Sequence, residues 1–306
     1  MHDLGFVSAI LADKSFKEVI TFASENRFKC VEIMCWPVGK VERRYAGVTH
    51  INVEELDDQK IIDIKNILHE NGIYISSLGF YPNPLDPDPE TSEKAFNHIK
   101  KVIEASAKLD IGTMTTFIGR DPARSIEDNL TIFKEKWPPV ITFAEKLGVN
   151  IGIENCPMIF TRDEWPGGKN LATTPYIWDK MFNIIPNTNF GLNYDPSHFI
   201  WQHMDEIQPI YDFKDRLHHI HLKDVKIYKD KLNRYGITGY PLQYHSPKIP
   251  GLGDVRWKDF FSALTTVGYR GPCCIEVEDR SFEGSEEDIR TSILQSRNYL
   301  SQFFVF

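Results

Sequence analysis

Short β-rich runs alternate with longer amphipathic stretches along the chain, and this alternation occurs eight times. The eight strand candidates are residues 5–11, 29–36, 73–80, 113–119, 150–156, 189–196, 217–224 and 272–279. The stretches between them have apolar residues at three- and four-residue spacing, which predicts helices. Residues 54–71 are one example, because Gly72 follows at the position of a helix C-cap. Strand–helix alternation indicates a parallel sheet, and eight such units predict an α/β fold with a closed (β/α)8 TIM barrel.

The main alternative to the barrel is a doubly wound open sheet. An open sheet that binds a dinucleotide has a glycine fingerprint after its first strand, and residues 5–15 contain none. At roughly 150 residues per domain, the 306 residues would allow two domains, but barrels of about 250 residues form one. Because no linker or change of composition interrupts the chain, we expect residues 1–306 to form a single domain.

Composition excludes several classes of function. The chain has 35 Lys and Arg against 43 Asp and Glu, a net charge of −8, which disfavours binding to nucleic-acid backbones. No run approaches the roughly 18 apolar residues of a membrane span. The N-terminus lacks a basic segment and a cleavage site, and the five cysteines show no framework spacing. Together these features predict a cytoplasmic protein with reduced thiols.

Three connections are longer than a barrel requires. They follow the second strand at 37–52, the fifth at 157–174 and the seventh at 225–255. All three leave the C-terminal ends of strands, where barrel enzymes have their active sites. The last is rich in Tyr, Gly and Pro and shows no helical period, so we expect lid or interface segments there. An interface role would make the protein a homo-oligomer.

Ionisable residues lie near the ends of strand candidates five to eight: Glu154, Asp195, His221 and Glu276. Each has apolar or non-ionisable neighbours, so the alternation of strand side chains directs all four into the barrel mouth. Three carboxylates and an imidazole would repel one another there unless a cation lay between them. Such an oxygen-rich set with one nitrogen suits Mn²⁺, Mg²⁺ or Co²⁺, and Zn²⁺ is also compatible.

Further polar residues are expected near these four. His198 follows Asp195 by three positions, and Lys223 shares a strand face with His221. Glu278 is one step beyond Glu276, so an ion pair between Lys223 and Glu278 at the rim is an equally good interpretation. His219 lies deeper in the strand and is expected to be a hydrogen-bonded core histidine. Aromatic candidates for stacking on a sugar are Trp36, Phe80, Phe117 and Trp165, although ordinary packing is the stronger interpretation for each.

Several runs resemble the xylose isomerase-like barrel superfamily, which includes inosose dehydratase, hydroxypyruvate isomerase and ketose 3-epimerases. The runs are GIENCP, NYDPSHF, HIHLKDV, IPGLGDVRW and IEVED. The resemblance implies that the four residues above bind one divalent metal, and we expect Mn²⁺. It also implies that Glu154 and Glu276 move protons. Residues expected to bind substrate are His198, Lys223, Asn155, Trp165 and Arg280. Ketose 3-epimerases differ at HLKD, where they usually have a run that ends in Arg.

Such a site favours proton removal next to a carbonyl. A bound metal would polarise the carbonyl and stabilise the enediolate that forms. Return of the proton gives epimerisation or isomerisation of a sugar, whereas loss of a β-substituent gives a dehydratase or lyase acting on an inosose or 3-oxo sugar. Two remoter alternatives are a non-catalytic sugar-binding subunit and an endonuclease IV-like enzyme. The latter would need three metals and a basic surface, which ten histidines and a charge of −8 do not favour.

Overall fold

A computed structural model describes residues 2–39, 45–159 and 161–304. The described residues contain ten strands: β1 Asp3–Val7, β2 Cys30–Met34, β3 Tyr74–Gly79, β4 Thr113–Thr116, β5 Asn150–Glu154, β6 Phe190–Tyr194, β7 Leu217–Leu222, β8 Asp224–Ile227, β9 His245–Lys248 and β10 Pro272–Ile275. All except β8 and β9 are parallel and form a closed barrel in the order β1-β2-β3-β4-β5-β6-β7-β10, with β10 pairing again with β1. The predicted (β/α)8 barrel is confirmed.

Helices surround the barrel, and most of them contain buried apolar residues. They are α1 Phe16–Glu25, α2 Asp58–Asn71, α3 Pro89–Lys108, α4 Ile126–Lys146, α5 Pro175–Ile184, α6 Ser197–Ile200, α7 Gln208–Asp212, α8 Lys229–Tyr235, α9 Trp257–Thr266 and α10 Glu286–Leu300. Trp137 of α4 and Trp178 of α5 are fully buried, and Trp178 packs edge-on against Tyr194 of β6. Among the described residues, no helix is both long and apolar enough to cross a membrane.

The strand candidates match the observed strands in position, but each of the eight extends beyond the C-terminal end of its observed strand. The first was predicted over 5–11, yet β1 ends at Val7 and Ser8–Leu11 form a 3-10 helix. The Ser8 hydroxyl accepts a hydrogen bond from the Met34 backbone at 3.0 Å, which ties this turn to the end of β2. The first barrel strand therefore ends at Val7, and the residues after it belong to the loops at the C-terminal end of the barrel.

The three long connections are present, with one correction. Residues 40–44 of the predicted 37–52 connection and residue 160 of the predicted 157–174 connection lie outside the described residues. The third connection, predicted to lack a helical period, contains α8 and the antiparallel hairpin β8–β9. Asp224 at the start of β8 is buried and accepts hydrogen bonds from the Gly251 and Val255 backbones. These contacts fold the connection onto the barrel.

Candidate functional site

Side chains from the last four barrel strands meet at the C-terminal end of the barrel. Glu154 ends β5, Asp195 directly follows β6, His221 lies in β7, and Glu276 directly follows β10. Glu154, His221 and Glu276 offer ligand atoms that all lie within 4.8 Å of one another. His221 Nδ1 is 3.8 Å from Glu154 Oε2 and 3.5 Å from Glu276 Oε2. Three of the four residues singled out in the sequence therefore lie together, and Asp195 is linked to them through Lys223 and His198. We call these four side chains the acidic cluster.

Lys223 connects Asp195 with the other carboxylates. Its ammonium lies 3.0 Å from Asp195 Oδ2, 2.7 Å from Glu276 Oε2 and 3.2 Å from Glu278 Oε2. Glu154 Oε1 is 3.9 Å away. Burial acts to lower the pKa of Lys223, but the surrounding carboxylates raise it well above its usual value. The predicted Lys223–Glu278 pair is thus one contact among four.

The surroundings shift the carboxyl groups of the cluster in opposite directions. Burial raises the pKa of Glu154, and the charge of Glu276 raises it further. Burial would also raise the pKa of Glu276, but the Lys223 ammonium and the His221 imidazole lower it to about 2.

His198 faces the cluster from α6, three residues after Asp195. Its Nε2 atom lies 3.2 Å from Asp195 Oδ2 and 3.5 Å from Glu154 Oε1. Its other nitrogen, Nδ1, accepts a hydrogen bond from the Trp201 indole at 3.3 Å. Because the indole can only donate, Nδ1 is the unprotonated nitrogen, and the imidazole presents an N–H group at Nε2 to the cluster.

The residues present fit a divalent cation. His221 Nδ1 is buried and has no hydrogen-bond partner, and it faces Glu154 and Glu276. Buried polar atoms without a partner are uncommon and costly. The donor set of three carboxylates and one imidazole is of the kind that binds Mn²⁺ or Zn²⁺. A cation between these groups would satisfy this nitrogen and, together with the Lys223 ammonium, reduce the carboxylate repulsion.

The remaining predicted substrate-binding residues differ in placement. Asn155 is fully buried, and its amide exchanges two hydrogen bonds of 2.8 Å with the backbone of Asp195, so it holds the ends of β5 and β6 together. Trp165 lies in the connection after β5, and Arg280 begins a 3-10 helix after β10. Within the described residues, neither forms a hydrogen bond or ion pair with the acidic cluster. Their role in binding stays a prediction.

The other aromatic candidates pack in the protein interior. Trp36 contacts Phe80 edge-on at 4.9 Å between ring centroids, and Phe117 contacts Tyr81 in the same manner at 5.0 Å. All are less than a tenth exposed. His219 is a hydrogen-bonded core histidine as predicted, with Nδ1 at 2.9 Å from the Asn193 amide oxygen.

Sequence reasoning missed a polar layer beneath the cluster, formed by Glu32, Tyr81 and Asn193. Glu32 Oε2 lies 2.7 Å from His221 Nε2, and Tyr81 donates a hydrogen bond to the other oxygen of Glu32. A signal for Glu32 was present, because it is an isolated ionisable residue between Val31 and Ile33 in a strand. Glu154 and Glu276 were found from the same pattern.

Two curated relatives align with much of the chain. The uncharacterized protein YfiH of Bacillus subtilis (strain 168) is 25% identical over 98% of this chain and 99% of its own length. An inosose dehydratase of Clostridium tetani (strain Massachusetts / E88) is 26% identical over 72% of this chain and 74% of its own length. These identities are low, and both alignments run through most of the barrel.

Solved structures show the same fold. A D-psicose 3-epimerase crystallised in the presence of D-fructose superposes with a TM-score of 0.72 and 15% identity, covering 98% of this chain and 99% of that one. The IOLI protein with a bound zinc atom has a TM-score of 0.72 and 16% identity, covering 99% and 100%. The family model described as xylose isomerase-like TIM barrel matches residues 20–299. The chain therefore belongs to the xylose isomerase-like TIM barrel family.

Proposed function

We propose that this protein is a divalent-metal-dependent sugar isomerase or epimerase that moves a proton next to a carbonyl through an enediolate. The observation that supports the proposal best is the acidic cluster itself. Glu154 and Glu276 flank the orphaned Nδ1 atom of His221, and they come from strands separated by two others in the barrel. One bound substrate could therefore contact both carboxylates.

Under this proposal Glu154, Asp195, His221 and Glu276 would hold the cation, with Mn²⁺ as our first choice and Mg²⁺, Co²⁺ or Zn²⁺ as alternatives. The bound cation would polarise the substrate carbonyl and stabilise the negative charge that develops on its oxygen. One of the two glutamates accepts the proton from the carbon, and the other returns a proton to the opposite face or to the neighbouring carbon. Lys223 and the Nε2–H group of His198 donate hydrogen bonds to substrate oxygens.

A dehydratase or lyase acting on an inosose or 3-oxo sugar is the second candidate, favoured by the similarity to an inosose dehydratase. The first step would be the same proton removal, followed by departure of a β-hydroxyl or β-alkoxy group. The proton that leaves the carbon is then not returned to it, and a protonated carboxyl group assists the leaving oxygen. The two candidates differ in product and share the same residues.

Solvent isotope exchange tests both candidates. The protein with added Mn²⁺ is incubated in deuterated water with ketoses, inososes and 3-oxo glycosides. Deuterium at the carbon next to the carbonyl supports epimerisation or isomerisation, and loss of water or alcohol supports elimination. We expect Glu154→Gln to reduce exchange by at least about a hundredfold, since acid–base groups contribute roughly 10²–10⁴ in rate.

The control for this experiment is Glu206→Gln. Glu206 is a buried carboxylate that pairs with Arg256 at 2.9 Å, so the variant tests the same chemical change away from the cluster. Its exchange rate per folded molecule should stay at the wild-type level. Absence of exchange and elimination with every substrate, or unchanged activity of Glu154→Gln, would contradict the proposed function.

We also propose that the protein works in the cytoplasm as one domain on a small carbohydrate. All five cysteines are buried and unpaired, which suits a reducing compartment. A homo-oligomer stays a prediction that a measurement of mass in solution would test.

A further inference from the structure

We propose that Glu32 is a positioning residue that presents the Nδ1 atom of His221 to a metal ion at the acidic cluster. This inference rests on the proposed function, because it requires a cation at that place. Glu32 lies in the middle of β2, fully buried, and it does not belong to the acidic cluster. Its side chain extends across the barrel interior and reaches β7 from below the cluster.

The contact between Glu32 and His221 determines which ring nitrogen is available. His221 Nε2 lies 2.7 Å from Glu32 Oε2, and both side chains are fully buried. A carboxylate can only accept, so Nε2 is the protonated nitrogen of the ring. When the ring is neutral, as a metal ligand must be, its lone pair is then on Nδ1, which faces Glu154 and Glu276 and has no hydrogen-bond partner.

Asn193 offers a competing arrangement, and the charge on Glu32 decides against it. The Asn193 amide nitrogen also lies 3.0 Å from His221 Nε2 and could donate to it if the proton were on Nδ1. That tautomer would place the Nε2 lone pair against a carboxylate oxygen at 2.7 Å. A hydrogen bond to an ionised acceptor is about twice as strong as a neutral one, so the Nε2–H form is preferred.

Glu32 is itself held in place by hydroxyl groups. Tyr81 and Thr115 donate to Glu32 Oε1 at 2.5 and 2.8 Å, which leaves Oε2 for His221. These bonds come from β4 and the segment after β3, and they fix the orientation of the carboxylate.

Glu32 is better explained as a support for His221 than as a ligand of a second ion. Glu32, His219 and His221 do lie close enough together to hold a metal. However, both oxygens of Glu32 already accept hydrogen bonds, and both nitrogens of His219 contact polar partners, Asn193 Oδ1 at 2.9 Å and Ser76 Oγ at 3.1 Å. The ring nitrogen that lacks a partner, His221 Nδ1, lies on the other side of the ring, at the acidic cluster.

The first test compares the metal affinity of wild-type protein with that of Glu32→Gln. Carboxylates that orient a histidine ligand typically contribute 10- to 100-fold to metal affinity, so we expect a loss of that size for Mn²⁺ and Zn²⁺. Affinity is measured by competition with a chromophoric chelator, and circular dichroism of the metal-free variant checks the fold. Glu206→Gln is the control and should retain affinity within about twofold of the wild type.

The second test needs no variant and so remains informative if Glu32→Gln does not fold. A crystal structure of the wild-type protein soaked with Mn²⁺ or Zn²⁺ should show the ion on His221 Nδ1, with Nε2 still bonded to Glu32. Coordination through Nε2, or by Glu32 itself, would overturn the inference. So would a folded Glu32→Gln variant with wild-type affinity, and that result would leave the proposed function standing. A wild-type protein that binds neither ion would instead overturn the proposed metal dependence.

Discussion

At the residue scale, Lys223 is the side chain on which the charge balance of the site depends. It is almost fully buried and contacts carboxylates of Asp195, Glu276 and Glu278. Lys223→Met would leave these charges without a cation in the metal-free protein. Removing one partner from a buried ion pair typically costs about 3–5 kcal/mol, and we expect the free energy of unfolding in a chelator to fall by that amount.

Urea unfolding of the metal-free protein measures this loss, and Lys226→Met is its control. Lys226 pairs with Asp254, but its side chain is 43% exposed. Exposed pairs contribute about 0–1 kcal/mol, so the control should unfold almost as the wild type does. An equal, small effect of both substitutions would show that Lys223 does not stabilise the carboxylates.

The sequence predicted the position of a site residue correctly where the pattern lay within a single strand. Glu154 and Glu276 are isolated ionisable residues among apolar neighbours, and strand alternation was enough to direct them inward. Of the four contacts of Lys223 only the one with Glu278 was predicted, and the other three depend on the register of separate strands. Asn155 shows the same limit, since its partner is the backbone of Asp195, forty positions along the chain.

At the element scale, β5 and β6 contain two glycines that are paired in register, Gly152 and Gly191. A methyl group at Gly191 would lie 2.3 Å from the Arg216 carbonyl oxygen and 2.5 Å from the His218 ring. At Gly152 the nearest atom would be 3.4 Å away, which is ordinary contact. We therefore expect Gly191→Ala to destabilise the protein by about 1–3 kcal/mol, as overpacking does.

Gly152→Ala is the matched control, because it places the same methyl group on the neighbouring strand. We expect its free energy of unfolding to stay within about 0.5 kcal/mol of the wild type, as for a substitution that creates no clash. Thermal and urea unfolding of both variants provide the comparison. Two variants of equal stability would mean that β6 can shift away from β7 without cost.

The connection after β7 shows why elements outside the regular repeat were harder to predict. Asp224 ends the seventh strand candidate in the sequence, whereas in the structure it begins β8. Its carboxylate accepts hydrogen bonds from the backbones of Gly251 and Val255 and from the Trp257 indole. These partners lie about thirty positions away, so no local pattern reveals that the segment folds into a hairpin.

At the scale of the whole molecule, barrel closure brings the site together. Phe6 of β1 lies beside Ile275 of β10, and Ile275 in turn lies beside Leu222 of β7. Glu276, the next residue, is thereby fixed against His221 and Lys223 although it lies near the C-terminus. Because Glu276 follows β10 and His221 lies in β7, the acidic cluster forms only when the last strand joins the barrel beside β7, so the site depends on the fold.

This dependence predicts that a divalent cation stabilises the protein as a whole. A ligand that binds only the folded state adds about 2.7 kcal/mol to the free energy of unfolding at a hundred times its dissociation constant. We expect added Mn²⁺ to raise the midpoint of thermal unfolding and to preserve a single transition, as expected for the single domain that we propose. The comparison variant is Asp195→Asn, which removes one carboxylate from the acidic cluster. Its remaining oxygen can still accept the hydrogen bond from the Ser197 backbone, so the local structure is kept. The Mn²⁺-induced rise should be smaller in this variant, and an equal rise in both proteins would place the stabilising ion elsewhere.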